Sequence, residues 1–168
     1  ANEFNGVRVA AAAGIEVTQA DETGGSINPR SDSENYGYSL SLLHTATGLF
    51  AQGHYMEHIR GNDLPLATED KAKNFMIQAG LTRNYFGIGN TAIYGEYSSV
   101  KNGFDTFADR ATLNGVIGDK YTMWGLGVTQ NIDAAAMQLF AGYRNHSLDF
   151  TPSVQDISVF SAGMRINF

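Results

Sequence analysis

Eight stretches of this chain share a two-residue rhythm, and the connections between them alternate in length. The last stretch, residues 156–168, is the clearest. Phe160, Ala162, Met164, Ile166 and Phe168 are apolar, and Ser161, Gly163, Arg165 and Asn167 fall between them. A period of two puts successive side chains on opposite faces of a strand. The same reading gives strands at 4–20, 36–45, 49–60, 73–82, 91–99, 120–130 and 135–146. The connections 21–34, 61–72, 100–119 and 147–155 are long and polar, whereas 46–48, 83–90 and 131–134 are short. A soluble meander has no reason to collect every long loop at one end.

Alternating connection lengths are the mark of a transmembrane barrel with short periplasmic turns and long extracellular loops. The expected fold is therefore all-β: one domain over 1–168, an antiparallel up-and-down transmembrane β-barrel with eight strands in this chain. The outward set includes Tyr36, Tyr38, Tyr55, Tyr97, Trp124, Tyr143 and Phe160, read as lying toward the long-loop ends of their strands, with Phe168 at the opposite end. Amphipathic rings favour the headgroup level, so these residues are candidate membrane-interface girdles. Glu57 falls on the same outward face and counts against the register of 49–60 unless it stands above the hydrocarbon. Closure into a barrel also answers a physical demand, because in lipid every backbone polar group needs an internal partner.

Composition narrows the rest. The net charge is −6, so no basic stripe is on offer to nucleic acid. The chain has no Cys, which excludes disulfides, zinc–thiolate sites and thiol catalysis. No run of about 18 apolar residues exists to form a membrane-spanning helix. The chain begins at Ala1 without Met and reads as a mature or excised chain whose signal peptide is gone.

Three stretches carry a family resemblance: Thr91-Ala-Ile-Tyr-Gly-Glu-Tyr97, the run from Tyr121 through Asn131-Ile-Asp133 and Ala-Ala-Met137 to Gly142-Tyr-Arg144, and Phe160 to Phe168. Together they resemble the carboxy-terminal portion of general porins of Gram-negative, particularly proteobacterial, outer membranes. The resemblance covers the second half well and the first half only in style. It implies a sixteen-stranded trimer passing small hydrophilic solutes. At about half that strand number, the chain is either an excised portion of a porin or a small barrel in its own right. The terminal strand 156–168 also resembles the signal that the barrel-assembly machinery reads. Outer-membrane lipid and lipopolysaccharide, and a homotrimer, are the partners so implied, and the bacterial outer membrane is the location.

The inward charged set is Arg8, Glu16, Arg60, Glu96, Arg144 and Arg165, with His54, His58 and His146. In an open pore these residues line water and set a field across the solute path. In a closed eight-stranded barrel they pair within a packed interior. Inward glycines (Gly80, Gly125, Gly127, Gly142, Gly163) leave space, and Met56, Met76, Tyr94, Met123 and Phe140 fill it. Sequence leaves both readings open.

Other chemistry reads weakly. His54-Tyr-Met-Glu-His58 matches a zinc-peptidase pattern that needs a helix. On a strand, residues four apart lie about 13 Å apart, too far for one ion. Neither Gly87-Ile-Gly-Asn90 nor Gly125-Leu-Gly127 completes a nucleotide loop. The acidic loops, with Asp63, Glu69, Asp70, Asp105, Asp109 and Asp119, read first as solvated charge and second as cation bridges to lipopolysaccharide. No catalytic residue, metal or cofactor is expected. The expected function is a porin acting by size exclusion and charge screening, narrowed by loop 100–119. The competing reading is a small closed barrel with a structural or interaction role through its acidic loops; a barrel enzyme is the third.

Overall fold

A computed structural model of the chain describes residues 2–18, 33–60, 71–103, 120–149 and 154–166, with the side chain of Arg60 left out. It is a single antiparallel sheet in which every strand pairs with its sequence neighbours. The strands are β1 (Asn2–Phe4), β2 (Val7–Thr18), β3 (Ser33–His44), β4 (Leu49–Arg60), β5 (Lys71–Arg83), β6 (Thr91–Lys101), β7 (Lys120–Ile132), β8 (Met137–Asp149) and β9 (Ile157–Ile166). The only described helix is one 3₁₀ turn, Asp133–Ala135. No described helix is long and apolar enough to cross a membrane.

The all-β, up-and-down order agrees with the alternation in sequence. Two features depart from it. First, the described residues form nine strands, because Asn2–Phe4, at the start of the stretch read as one strand at 4–20 and ahead of it, folds back on Val7–Val9 as a hairpin. Asn5 and Gly6 both have positive φ (48° and 75°), so the chain reverses between β1 and β2. Asn-Gly is the dipeptide that such two-residue turns favour, and the long apolar run after it concealed the signal. Second, the sheet does not close into an eight-stranded barrel. β1 covers β2 only at Val7–Val9, and among the described residues nothing pairs with the remaining edge of β2 or the outer edge of β9. Alternation fixes which face a residue takes. It carries no information on whether the ends of a sheet meet.

The short connections gather at one end. Thr45 N–H donates to the Gly6 carbonyl (2.8 Å), which ties the β3–β4 turn to the β1–β2 turn. Asn131 N–H donates to Asn90 O, and Asp133 N–H to Ile88 O (both 2.9 Å), so connection 84–90 is stitched to the β7–β8 turn. β7 runs on to Ile132 and β8 starts at Met137, two residues beyond the start expected from sequence, because Ala136 takes a left-handed conformation that ends the 3₁₀ turn.

This sheet has almost no core. Met123 is the only buried hydrophobic residue among those described. β5 alternates exposed and half-buried residues along most of its length, and β7 alternates exposed and buried ones around Trp124. One face is therefore sheltered, and we call it inner. The other is open and apolar, and we call it outer.

Candidate functional site

The outer face orders its side chains in rows that run across the strands. One row is Ala13–Tyr38–Tyr55–Phe75–Ser99–Thr122–Ser147. The next toward the short turns is Ala11–Leu40–Gly53–Ile77–Tyr97–Trp124–Asn145–Ser158, and after it Val9–Leu42–Ala51–Ala79–Gly95–Leu126–Tyr143–Phe160. The large aromatics descend through these rows as a staircase. Tyr38, Tyr55 and Phe75 occupy the first row on β3–β5, Tyr97 and Trp124 the second on β6–β7, and Tyr143 and Phe160 the third on β8–β9. Tyr36 stands one row above Tyr38. The drop is four residues between β4 and the β8–β9 pair. At about 3.3 Å per residue and about 4.8 Å per strand, a line through the staircase lies about 30° off the perpendicular to the strands.

A second staircase, wholly polar apart from the Tyr36 ring, runs one step above the first: Tyr36, Glu57 and Lys73, then Ser99 and Thr122, then Asn145 and Ser158. Its members bond to their neighbours. Tyr36 Oη donates to Glu34 (2.6 Å) and Tyr55 Oη to Glu57 (2.8 Å). Lys71 Nζ donates to Glu57 Oε1 at 2.9 Å. The Tyr143 and Ser158 hydroxyls meet at 2.9 Å, and Asn145 Nδ2 donates to Ser158 Oγ at 3.2 Å. Glu57 therefore keeps the outward register, opposite Tyr36 and Lys73, at the point where the face turns polar. Below the aromatics lie two apolar steps, then a third that is apolar except at His44, which bonds Thr47, and at Thr91 and Gln130, which bond to each other. Each step is worth about 6 Å along the sheet normal to that line.

Sequence placed the aromatics at strand ends. The register places them in mid-strand, and only the stagger makes them level. Sequence also gave the short-turn end Phe168 alone, and Phe168 lies outside the described residues. That end instead exposes Tyr85, Phe86 and Ile88 in connection 84–90, with Phe86 70% exposed. Their mark in sequence was an apolar trio inside a connection read only for its length.

The inner face is hydrogen-bonded side chain to side chain. His58 Nδ1, Asn35 and Glu16 form a chain across β4, β3 and β2 (2.6 and 3.1 Å). Gln52 Nε2 donates to Gln78 Oε1 at 2.7 Å, and Tyr121 Oη meets His146 Nδ1 at 2.6 Å. Arg8 bonds Glu3 on β1 at 2.9 Å. His54 lies between Ser39 and Met76 in its row, and Arg165 lies opposite Gln138. Arg60 ends β4 opposite Ser33. The candidate residues thus share a face without converging on a point. Among the described residues, no group of three or more His, Asp or Glu could hold a metal ion.

One contact stands apart. Arg144 Nε donates to Glu96 Oε1 at 2.6 Å, although β6 and β8 are separated by β7. The residue between them in register is Gly125. A Cβ there would stand 3.0 Å from Glu96 Oε1, 3.0 Å from Arg144 Cγ and 2.8 Å from the Tyr143 carbonyl. The missing side chain is what lets the ion pair bridge a strand. Aromatic rings use the same device: Phe50 lies over Gly80, Tyr94 over Gly127 and Phe140 over Gly163. All six acidic loop positions, Asp63, Glu69, Asp70, Asp105, Asp109 and Asp119, and loop 100–119 beyond Gly103 lie outside the described residues.

Comparison with protein-family models, with curated proteins and with solved structures finds no match.

Proposed function

We propose that the chain forms part of the wall of an outer-membrane β-barrel pore, a porin passing small hydrophilic solutes or ions by passive diffusion. The observation that carries this reading is the outer face: a broad exposed apolar field bounded by an aromatic line and then, one step higher, by a polar line. Exposed apolar patches of this extent are rare on soluble monomers. A membrane interface is level, and strands in barrels tilt by about 35–45°, so a level girdle has to cross the registers obliquely. The staircase does so at a similar slope. The aromatic step and the two full apolar steps make about 17 Å, and the broken third extends this to about 23 Å. The apolar band of such barrels is about 25 Å tall. Tyr85 and Phe86 would then anchor the short-turn interface.

The pore reading, as against a packed small barrel, rests on the inner face. Several of its charges and amides bond one another, as in Glu96–Arg144, Arg8–Glu3 and Gln52–Gln78, Phe50, Tyr94 and Phe140 lie over glycines, and Met123 is the only buried hydrophobic residue among those described. The free edges of β2 and β9 need partners in hydrocarbon, so the sheet is one arc of a wider closed wall. Glu96–Arg144, with His54, His58, His146 and Arg165, would set the field that solutes meet. The porin resemblance adds a homotrimer and the outer-membrane location to the same reading.

The test is conductance of the purified, folded protein in planar bilayers. Stepwise openings that change ion selectivity in Arg144→Gln are expected. Silence from protein that is protease-resistant and β-rich in the same lipid would remove the pore.

A further inference from the structure

Three lysines stand side by side on the outer face. The row is Ile15–Tyr36–Glu57–Lys73–Lys101–Lys120–Asp149. Lys73, Lys101 and Lys120 are exposed, on adjacent strands, directly opposite one another in register. Cross-strand neighbours have Cβ atoms about 5 Å apart, and like charges so placed repel. The carboxylates of the row lie at its two ends. Glu57 already bonds Lys71, and Asp149 flanks Lys120. Lys101 has a lysine on both sides, and no ion pair reaches Lys73, Lys101 or Lys120 among the described residues.

The surroundings of the row suggest what balances it. Ser99 and Thr122 lie immediately below Lys101 and Lys120, and Phe75 immediately below Lys73. On the membrane reading, the lysines therefore stand at headgroup height, one to two steps above the aromatics. Below Lys73 the same face holds a shallow apolar depression between β3 and β5, lined by Leu40, Leu42, Ala51, Tyr55, Phe75 and Ile77. Gly53 opens it, since it has no side chain in the row Leu40–Gly53–Ile77. A cationic row above an apolar depression matches a molecule with phosphate groups at one end and acyl chains at the other.

We infer that Lys73, Lys101 and Lys120 bind the phosphates of an anionic lipid of the outer leaflet, a phosphorylated glycolipid whose acyl chain lies in the Gly53 depression. This rests on the proposed membrane placement of the outer face. Ammonium groups are point charges suited to phosphate, and basic clusters at headgroup height attract anionic lipid. The phosphates would supply the counter-charge that no described residue brings to Lys101.

Trp124 is the sole tryptophan, two rows below Lys120 on β7, and serves as reporter. The full chain is folded into phosphatidylcholine vesicles with acyl-brominated lipid, then into vesicles doped with diphosphoryl lipid A carrying brominated chains. Quenching by the first lipid tests the membrane placement alone. Preferential quenching by the second tests the site. The expected result is enrichment of the diphosphorylated lipid at Trp124, lost about hundred-fold in Lys73→Gln/Lys101→Gln/Lys120→Gln, at about five-fold per lysine. The corresponding triple Arg variant should retain it. If the Gln variant does not fold, titration of the unaltered protein with salt replaces it, and the enrichment should collapse as screening shortens. Quenching by phosphatidylcholine with no enrichment, or enrichment unaffected by both the Gln variant and salt, overturns the site and leaves the membrane placement intact. Displacement by inorganic phosphate at matching concentration also overturns it, since the row would then read phosphate without lipid.

Discussion

The inner row Glu96–Gly125–Arg144, on β6–β8, and the outer row Lys73–Lys101–Lys120, on β5–β7, lie on opposite faces of the sheet and handle charge in opposite ways. The inner row sets opposite charges two strands apart and removes the side chain between them. The outer row sets like charges on successive strands and puts another lysine in the middle. Each solution fits a different medium. On the inner face, a carboxylate as sheltered as Glu96, whose side chain is 3% exposed, has to find its partner inside the protein. At the outer boundary the described residues leave cations in excess, and on the proposed reading the counter-charge comes from the surroundings.

The widest expected gap between the faces is at neighbouring positions on β7. Val128 is outward, 38% exposed, and lies in the middle of the apolar field; Thr129 is inward. Val128→Arg should cost about 2–4 kcal/mol in a bilayer, as for a cation at mid-depth on a lipid-facing wall. Thr129→Arg should cost well under that, because its head would reach the polar interior. Urea unfolding from phosphatidylcholine vesicles, followed by Trp124 fluorescence, measures both. Equal costs would mean that the two faces meet the same medium, and the membrane reading would fail.

Next in size is the glycine that joins the inner charges. Gly125→Ala sets a methyl against the Tyr143 carbonyl, a backbone atom that cannot swing away. The overpacking should cost about 1–3 kcal/mol. Gly14→Ala, also inward, meets nothing within 4 Å and should be neutral or slightly stabilising. The same vesicle unfolding compares them. The two glycines are alike in sequence context and differ only in what lies across the neighbouring strands, so a matched pair of costs would mean that the ion pair does not depend on the gap.

How much of this was legible in sequence follows from what periodicity can encode. Parity is local: Trp124 and Leu126 point one way and Met123 and Gly125 the other wherever β7 sits, so the faces were readable throughout. Register is not local. Tyr38 and Phe160 look unrelated in sequence, and only the stagger between strands brings them to one level. Glu57 looked like a flaw in an apolar face until Lys73 was found opposite it and Lys71 bonded to it. The Glu96–Arg144 pair spans 48 residues and a whole intervening strand. Gly125 was its one trace, and a glycine in a strand has many meanings. The lysine row was hidden for a simpler reason: reading the fifth segment as 91–99 left Lys101 in a loop, whereas β6 runs two residues further. Asn5-Gly6 was fully legible and was passed over for the apolar run behind it.

The smallest expected effect is the one that separates the two rows most sharply, because its sign depends on the medium. Lys101→Gln removes the middle of three like charges. In neutral detergent, with no anionic lipid present, it should stabilise the folded sheet by about 0.2–1 kcal/mol, the usual range for cross-strand charge pairs. In about 1 M salt, where the screening length falls to about 3 Å, that gain should vanish. In vesicles containing a diphosphorylated lipid the sign should reverse, since the variant discards a phosphate contact and keeps little in return. A glutamine that is stabilising in all three media would mean that the lysines only repel one another. A glutamine that is destabilising in detergent would mean that Lys101 has a protein partner after all, and the outer row would then resemble the inner one.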